Sequence, residues 1–229
     1  MWDEFPEDYP SVEFRLVYEG ELKAAGSGKG SGRASEKHAI RRVLHSQLAS
    51  LWQMIPHLKD RTEPHSFFNA PAVRKIASAT SRTVHFPGYV PKPSLLETLG
   101  NQFDRCGYKF VPLVSEHLKL SCGLDILFLR RDMPGIPLIH AGGDLDNRLK
   151  VLLDALQMPD ACAGFTKQPD EDSYFFVLMQ NDKMLTEISV TTDTLLTPCN
   201  PGHENDVHLI IKVKIRPTDF SFETLAFVP

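Results

Sequence analysis

Between His117 and Leu129 the apolar residues fall on every second position: Leu118, Leu120, Cys122, Leu124, Ile126 and Phe128. Successive side chains of an extended chain point to opposite sides, so this period puts all six on one face. The run reads as a long strand of a sheet with one buried face, and Gly123 inside it is a candidate bulge. A fold built around such a strand needs partners for its backbone and a layer to cover its apolar side.

Shorter runs supply both. Val12 to Tyr18 reads as a first strand, Phe175 to Met179 and Lys183 to Thr191 as strands flanking Gln180-Asn181-Asp182, and Val207 to Ile215 as a last strand. Ser35 is placed to cap a helix running to about Met54, whose apolar positions Ile40, Leu44, Leu48 and Leu51 recur at helical spacing. A second helix starts near Asp144 and ends by Pro159. Ala24 to Gly32 (AAGSGKGSG) has no periodicity and reads as a basic loop without the phosphate-loop pattern, because Gly28-Lys29 is followed by Gly30. The proline-rich stretch 56–108 reads as an insertion, with short helices at Val73 to Ile76 and Leu95 to Phe103, and 160–172 as a smaller loop insertion. The order of elements predicts an α+β fold, one sheet packed with helices, in a single domain over residues 1–229.

The chain has 42% hydrophobic and 24% charged residues, as ordinary globular proteins do. No apolar run approaches the ~18 residues that a membrane span needs, and the start MWDEFPEDYP is acidic, so a cytoplasmic protein with no membrane partner is expected. Twenty-five Lys and Arg against 29 Asp and Glu give a net charge of -4, which taken whole argues against a nucleic-acid partner. The basic residues are clustered, however: Lys29, Arg33, Lys37, Arg41 and Arg42 lie around the first loop and helix, and Arg130-Arg131 end the long strand. These seven are the candidate DNA-binding residues, with Lys59, Arg74, Lys75 and Arg82 in the insertion. Cys106, Cys122, Cys162 and Cys199 form no Cys-x-x-Cys pair, so reduced thiols are expected; Cys199 with His203 has metal-ligand spacing but no second pair.

The stretch Gly142-Gly143-Asp144-Leu145-Asp146-Asn147-Arg148-Leu149-Lys150-Val151-Leu152-Leu153-Asp154-Ala155-Leu156 carries the chemistry. At 100° per residue Leu145, Leu149, Leu152, Leu153 and Leu156 share one side, and Asp146, Asn147, Lys150 and Asp154 the other. Asp146, Lys150 and Asp154 are four apart, which lines up carboxylate, ammonium and carboxylate. Part of this has an ordinary explanation: Asp144 as an N-cap, and the row as a solvated face with pairs worth ~0.2–0.5 kcal/mol each. Against it, the helix begins after a strand, where α/β architectures place ligands, and paired aspartates are hard oxygen donors suited to Mg²⁺ or Mn²⁺.

The spacing Asp144-Leu-Asp146-Asn147-x-x-Lys150-x-x-x-Asp154-Ala155-Leu156 resembles the signature of the RusA-type Holliday junction resolvases, the crossover junction endodeoxyribonucleases. In that family a short acidic motif follows a hydrophobic run and precedes a strand, and Val177 to Asp182 followed by Leu185 to Val190 stands in that place. The specific match covers about 40 residues.

The resemblance implies a RusA-like fold and a Mg²⁺-dependent homodimer that cuts four-way DNA junctions. Its metal-binding aspartates fall on Asp144 and Asp146, its third essential acid on Asp182, and its functional lysine on Lys150; Asn147, Asp154 and Asn181 stand beside them. Asp154 is either a ligand or the helix partner of Lys150. Where the family often has two aspartates this chain has Asn181-Asp182, and where a basic run often precedes the first aspartate it has His140-Ala141-Gly142-Gly143. Phosphodiester hydrolysis needs an activated water and neutralised phosphoryl oxygens, and a divalent metal with Lys150 would supply both. A branched-DNA-binding subunit with weak or no nuclease activity, and a hydrolase of small phosphoesters, are the competing readings.

Overall fold

The structure is a computed structural model and describes residues 12–23, 32–55, 58, 93–131, 145–162, 167, 172–197 and 206–218. Its elements in chain order are β1 (Val12–Glu21), α1 (Gly32–Met54), α2 (Leu95–Gln102), β2 (Asp104–Arg105), β3 (Tyr108–Val114), β4 (Leu120–Arg130), α3 (Leu145–Leu156), β5 (Tyr174–Met179), a 3-10 turn (Asp182–Met184), β6 (Leu185–Thr194) and β7 (Asp206–Pro217). The α+β class holds. The single sheet does not: the strands form a four-stranded sheet in the order β1-β7-β4-β6 and a three-stranded sheet in the order β2-β3-β5.

The four-stranded sheet is the one that the period-two runs specify. β7 is antiparallel to both β1 and β4, while β6 runs parallel to β4 on its other side. Leu16, Ile211 and Ile126 share one cross-strand row, and Tyr18, Leu209 and Phe128 the next, all buried on the inner face. Burying each such large side chain contributes about 1.5–3 kcal/mol, so a one-residue slip of β7 would turn the whole row to water. The register of β4 against β6 shifts between Cys122 and Gly123, at the expected bulge. A Cβ on Gly123 would come 3.3 Å from a Glu187 carboxylate oxygen on β6.

Of the three-stranded sheet only β5 was legible as a strand. β3, YKFVPLV, is buried along nearly its whole length and so has no alternation, and it contains Pro112. Proline is tolerated because β2 pairs only with Tyr108 and Lys109, leaving Pro112 paired on one side alone, with Val177 of β5. β5 pairs with β3, so the two strands that flank Gln180 to Asp182, expected in one sheet, lie in different sheets. α1 and α2 pack against this second sheet.

Residues 95–108 were expected as part of an insertion, yet Leu95, Leu99, Phe103 and Tyr108 are buried core. α2 starts on a reciprocal cap: the Glu97 N–H donates to Ser94 Oγ (3.2 Å) and the Ser94 N–H to Glu97 Oε2 (2.8 Å). The rest of 59–92, with Val73 to Ile76, lies outside the described residues, as do the loop 24–31 and Cys199 with His203.

α1 begins at Gly32, three residues before the expected cap at Ser35, and has no proline to interrupt it up to Met54. Ile40, Leu44, Leu48 and Trp52 form its buried stripe. His38 and His45 extend that stripe by lying against Phe175, with ring centroids 5.4 and 4.5 Å away. His45 Nδ1 accepts the Phe176 N–H at 2.9 Å, which sets the imidazole's other nitrogen as the protonated one. On the other flank of the stripe, Gln47 meets the edge strand: its Oε1 accepts the Val17 N–H (2.9 Å) and its Nε2 donates to the Val17 carbonyl (2.7 Å).

The expectation of reduced cysteines is corrected at one pair. Cys106 and Cys162 form a disulfide with Cα atoms 5.1 Å apart across 56 residues of sequence. The β2–β3 turn brings them together: Cys106 and Gly107 both take positive φ, 59° and 80°, reversing the chain within two residues. Closing a loop of this length removes unfolded-state entropy worth about 4 kcal/mol. Cys122 remains a free, buried thiol, as expected.

Candidate functional site

α3 is the helix that carries the sequence motif, and its burial is rotated from the expected face. Arg148, Val151, Leu152, Ala155 and Leu156 are fully buried, whereas Leu145, Leu149 and Leu153 are only partly so. α1 lies alongside α3, with Arg41, Leu44 and Leu48 beside Ala155 and Leu156. An arginine on the buried flank of a helix is not what a leucine count anticipates.

Two cations of α1 make the contact. Lys37 Nζ lies 2.6 Å from Asp154 Oδ2, both side chains about one quarter to one third exposed. Four residues on, Arg41 donates through Nε to the Gln157 carbonyl (3.0 Å) and through Nη2 to the Asp154 carbonyl. Gln157 Nε2 in turn donates to Asp154 Oδ1 at 3.3 Å. The last carbonyls of α3 have no partners within the helix, and a cation at a helix C-terminus also answers its dipole, so Arg41 serves as the C-terminal cap. Burial pushes its guanidinium down to about 10, opposed by the charges of Asp154 and Asp160, and it stays positive at neutral pH. Asp154 is thereby assigned: its carboxylate is the tie to Lys37, rather than the helix partner of Lys150.

On the opposite flank Asp146 and Lys150 are exposed and Asn147 is half-buried. Among the described residues Asp146 and Lys150 make no ion pair with each other or with Asp154. The expected row therefore divides into a tied carboxylate at the C-terminal end and an open carboxylate-ammonium pair at the N-terminal end. Asp144 lies outside the described residues.

The second acidic motif forms a 3-10 turn. Asn181 caps it, its side-chain oxygen accepting the Lys183 N–H at 3.0 Å, and Asp182 and Lys183 are exposed. A capping role gives Asn at 181 a physical reason, because amide oxygen serves an N-cap as well as carboxylate does. Gln180 locks the approach: its N–H donates to the Val114 carbonyl (2.9 Å), and its Oε1 accepts the Glu116 N–H (3.1 Å).

The strand that leads into this turn is fastened beside the C-terminal end of α3. Met179 is bridged to Gln157, and the Met158 N–H donates to the Met179 carbonyl at 3.1 Å, so the chain reaches Asp182 from beside the helix C-terminus. From Asp146 to Gln157 the helix rise is about 16 Å. Among the described residues no three His, Cys, Asp or Glu side chains gather as a metal site. Asp146 and Asp182 have the hard oxygen chemistry that Mg²⁺ takes, but the described residues do not assemble a ligand set around it.

The expected basic surface is reduced. Arg41 is 5% exposed and Arg130 7%, so neither is a surface charge; Arg130 points to the inner face of the four-stranded sheet, in register with Val207 and Thr194. Arg131 donates to the Thr197 carbonyl. Lys37 is committed to Asp154, and Arg42 is exposed. Lys29 and the side chain of Arg33 lie outside the described residues. Lys150 and Lys183 are exposed cations that the charge clusters in the sequence did not single out for DNA contact. The outer face of the sheet is balanced rather than basic: Lys212 pairs with Glu13 (2.7 Å) and Arg216 with Glu187 (3.0 Å).

No helix among the described residues is long and apolar enough to cross a membrane. No family model, curated protein or solved structure matches the chain.

Proposed function

We propose that the chain acts on branched DNA as a metal-dependent endonuclease of the RusA type, cutting four-way junctions as a homodimer. The observation that carries the reading is the open Asp146-Lys150 pair at the start of a helix whose other end is fixed by Lys37 and Arg41. A rigid helix holding a carboxylate and an ammonium one turn apart, both facing water, offers a phosphate a cation and an attacking water an acceptor. Lys150 neutralises phosphoryl charge in this reading, and Asp146 is the carboxylate of the reacting end. No step is assigned to Mg²⁺ or Mn²⁺, whose ligand set the described residues do not complete.

Asn181, an amide cap where the family often has a second acid, favours a second reading, a branched-DNA-binding subunit without cleavage. A labelled four-way junction and a linear duplex of the same sequence, each with Mg²⁺, Mn²⁺ or chelator, separate the two. Cleavage of the junction alone, lost in Asp146→Asn and in Lys150→Ala with binding kept, is the expected result. Binding without a cut at stoichiometric protein leaves the second reading, and neither binding nor cutting ends both. Sedimentation showing only monomer at micromolar concentration argues against the dimer.

A further inference from the structure

The disulfide joins two segments that carry no motif, and their surroundings give it a role. Cys162 is exposed and Cys106 half-buried, so a thiolate from solution reaches the bond. Cys122 does not compete: it is fully buried, and burial pushes its thiol up to about 12. Just before Cys162 the chain is held independently, by Arg105 Nη1 on the Pro159 carbonyl (3.2 Å), the Met158 N–H on Met179 (3.1 Å) and Arg41 on Gln157 (3.0 Å). Residues 160–162 have no strand or helix of their own, and Lys167 beyond them lies over the Tyr108 ring, 5.8 Å from its centroid. Tyr108 is in contact with His38 and Phe175, the centre of the aromatic cluster under α1.

We propose that Cys106–Cys162 is a reversible redox clasp that fastens residues 160–162 to the β2–β3 turn, beside the Tyr108 cluster. Oxidation proceeds by thiol–disulfide exchange with a small disulfide of the glutathione class. One cysteine thiolate attacks that disulfide and releases one thiol, and the second cysteine displaces the other. The protein loses two thiol protons and two electrons, and the small disulfide is reduced to two thiols. Because the bonds at 157–159 persist, reduction frees residues 160–162 and leaves the two sheets and α3 in place. The inference rests on this geometry alone and not on any activity toward DNA.

The test uses the full chain equilibrated in glutathione buffers from reducing to oxidising. Alkylation with mass spectrometry is expected to show Cys106 and Cys162 protected together in oxidising buffer and released together in reducing buffer. Hydrogen exchange is expected to quicken most on reduction at amides 106–107 and 160–162, with the thermal midpoint falling by about 10 °C. The Cys106→Ser/Cys162→Ser variant is expected to match the reduced protein in every buffer. Free thiols at both positions after oxidation, identical exchange in the two states, or loss of protection throughout the core on reduction would each overturn the proposal, the last by making the bond a fixed staple.

Discussion

Lys37 Nζ and Asp154 Oδ2, 117 residues apart in sequence, meet at 2.6 Å and tie α1 to the C-terminal end of α3. A carboxylate that the motif spacing offers to Lys150 is thus held by another helix. Partly exposed pairs of this kind contribute about 0.2–1 kcal/mol, so Lys37→Ala and Asp154→Ala should each cost about 1 kcal/mol in urea unfolding. A double-mutant cycle should return a coupling of similar size, and zero coupling would mean that the pair contributes nothing.

Arg41 should matter more than Lys37. It is buried and satisfies two carbonyls at the end of α3, so Arg41→Ala leaves both without their donor in a site closed to water. A loss of about 2–4 kcal/mol is expected. Arg42→Ala, on the exposed neighbour, should cost less, about 1 kcal/mol at most, as surface interactions do. Equal effects of the two would refute the capping role.

Gly100 sits where a Cβ would come 2.6 Å from the Tyr174 ring and 3.1 Å from Lys109 Cβ. In an exposed helix Gly→Ala gains up to about 1 kcal/mol. Here the overlap should win, and Gly100→Ala should lower the urea midpoint by an amount equivalent to about 1–3 kcal/mol. A stabilised variant would show that α2 does not pack so tightly on β5.

Alkaline stability follows from two buried acids. Burial pushes the Cys122 thiol from 9.0 to about 12, and burial with the charges of Asp206 and Glu21 pushes the Tyr18 hydroxyl from 10.0 to about 12. Each folded-state value is raised, so the unfolded chain loses its proton first. The stabilisation is whole below pH 9 and drains away between pH 9 and 12, with a slope of up to about 1.4 kcal/mol per pH unit for each group. Thermal midpoints at closely spaced pH values should fall from pH 9 upward. Cys122→Ala should flatten the curve between pH 9 and 10, where Tyr18 does not yet contribute; an unchanged slope there would remove Cys122 as the cause.

Metal binding has a readout apart from cleavage. If Asp146 belongs to a ligand set, Mg²⁺ raises the thermal midpoint of the unaltered chain and not of Asp146→Asn. Equal shifts in both would place the metal elsewhere.

Periodicity was informative where a strand or helix has one wet side and one dry side. β4, β7 and the bounds of α3 were legible because Leu124 to Phe128, Val207 to Ile215 and the leucines of α3 alternate with polar residues at the right period. β3 was not, because burial along its length erases the alternation and Pro112 reads as a break. Motif spacing located Asp146 and Lys150 on an open helix flank. It could not show that Asp154 answers to Lys37, that Arg41 and Arg130 are buried, or that Met179 is fastened beside the end of α3, since each depends on which helix or sheet packs alongside. The Cys106–Cys162 pair was hidden for the same reason, being a product of the turn at Gly107 and not of local spacing.

The Gln47 amide on Val17 bears on how copies of this chain associate. By accepting from the N–H and donating to the carbonyl it occupies the groups that an incoming strand would use, and so closes the sheet to extension at the middle of β1. Among the described residues β6 pairs only with β4, and it carries neither lysine nor proline along its ten residues. Among the described residues, the edge left for a further strand, in a regulated pairing or in aggregation, is therefore that of β6.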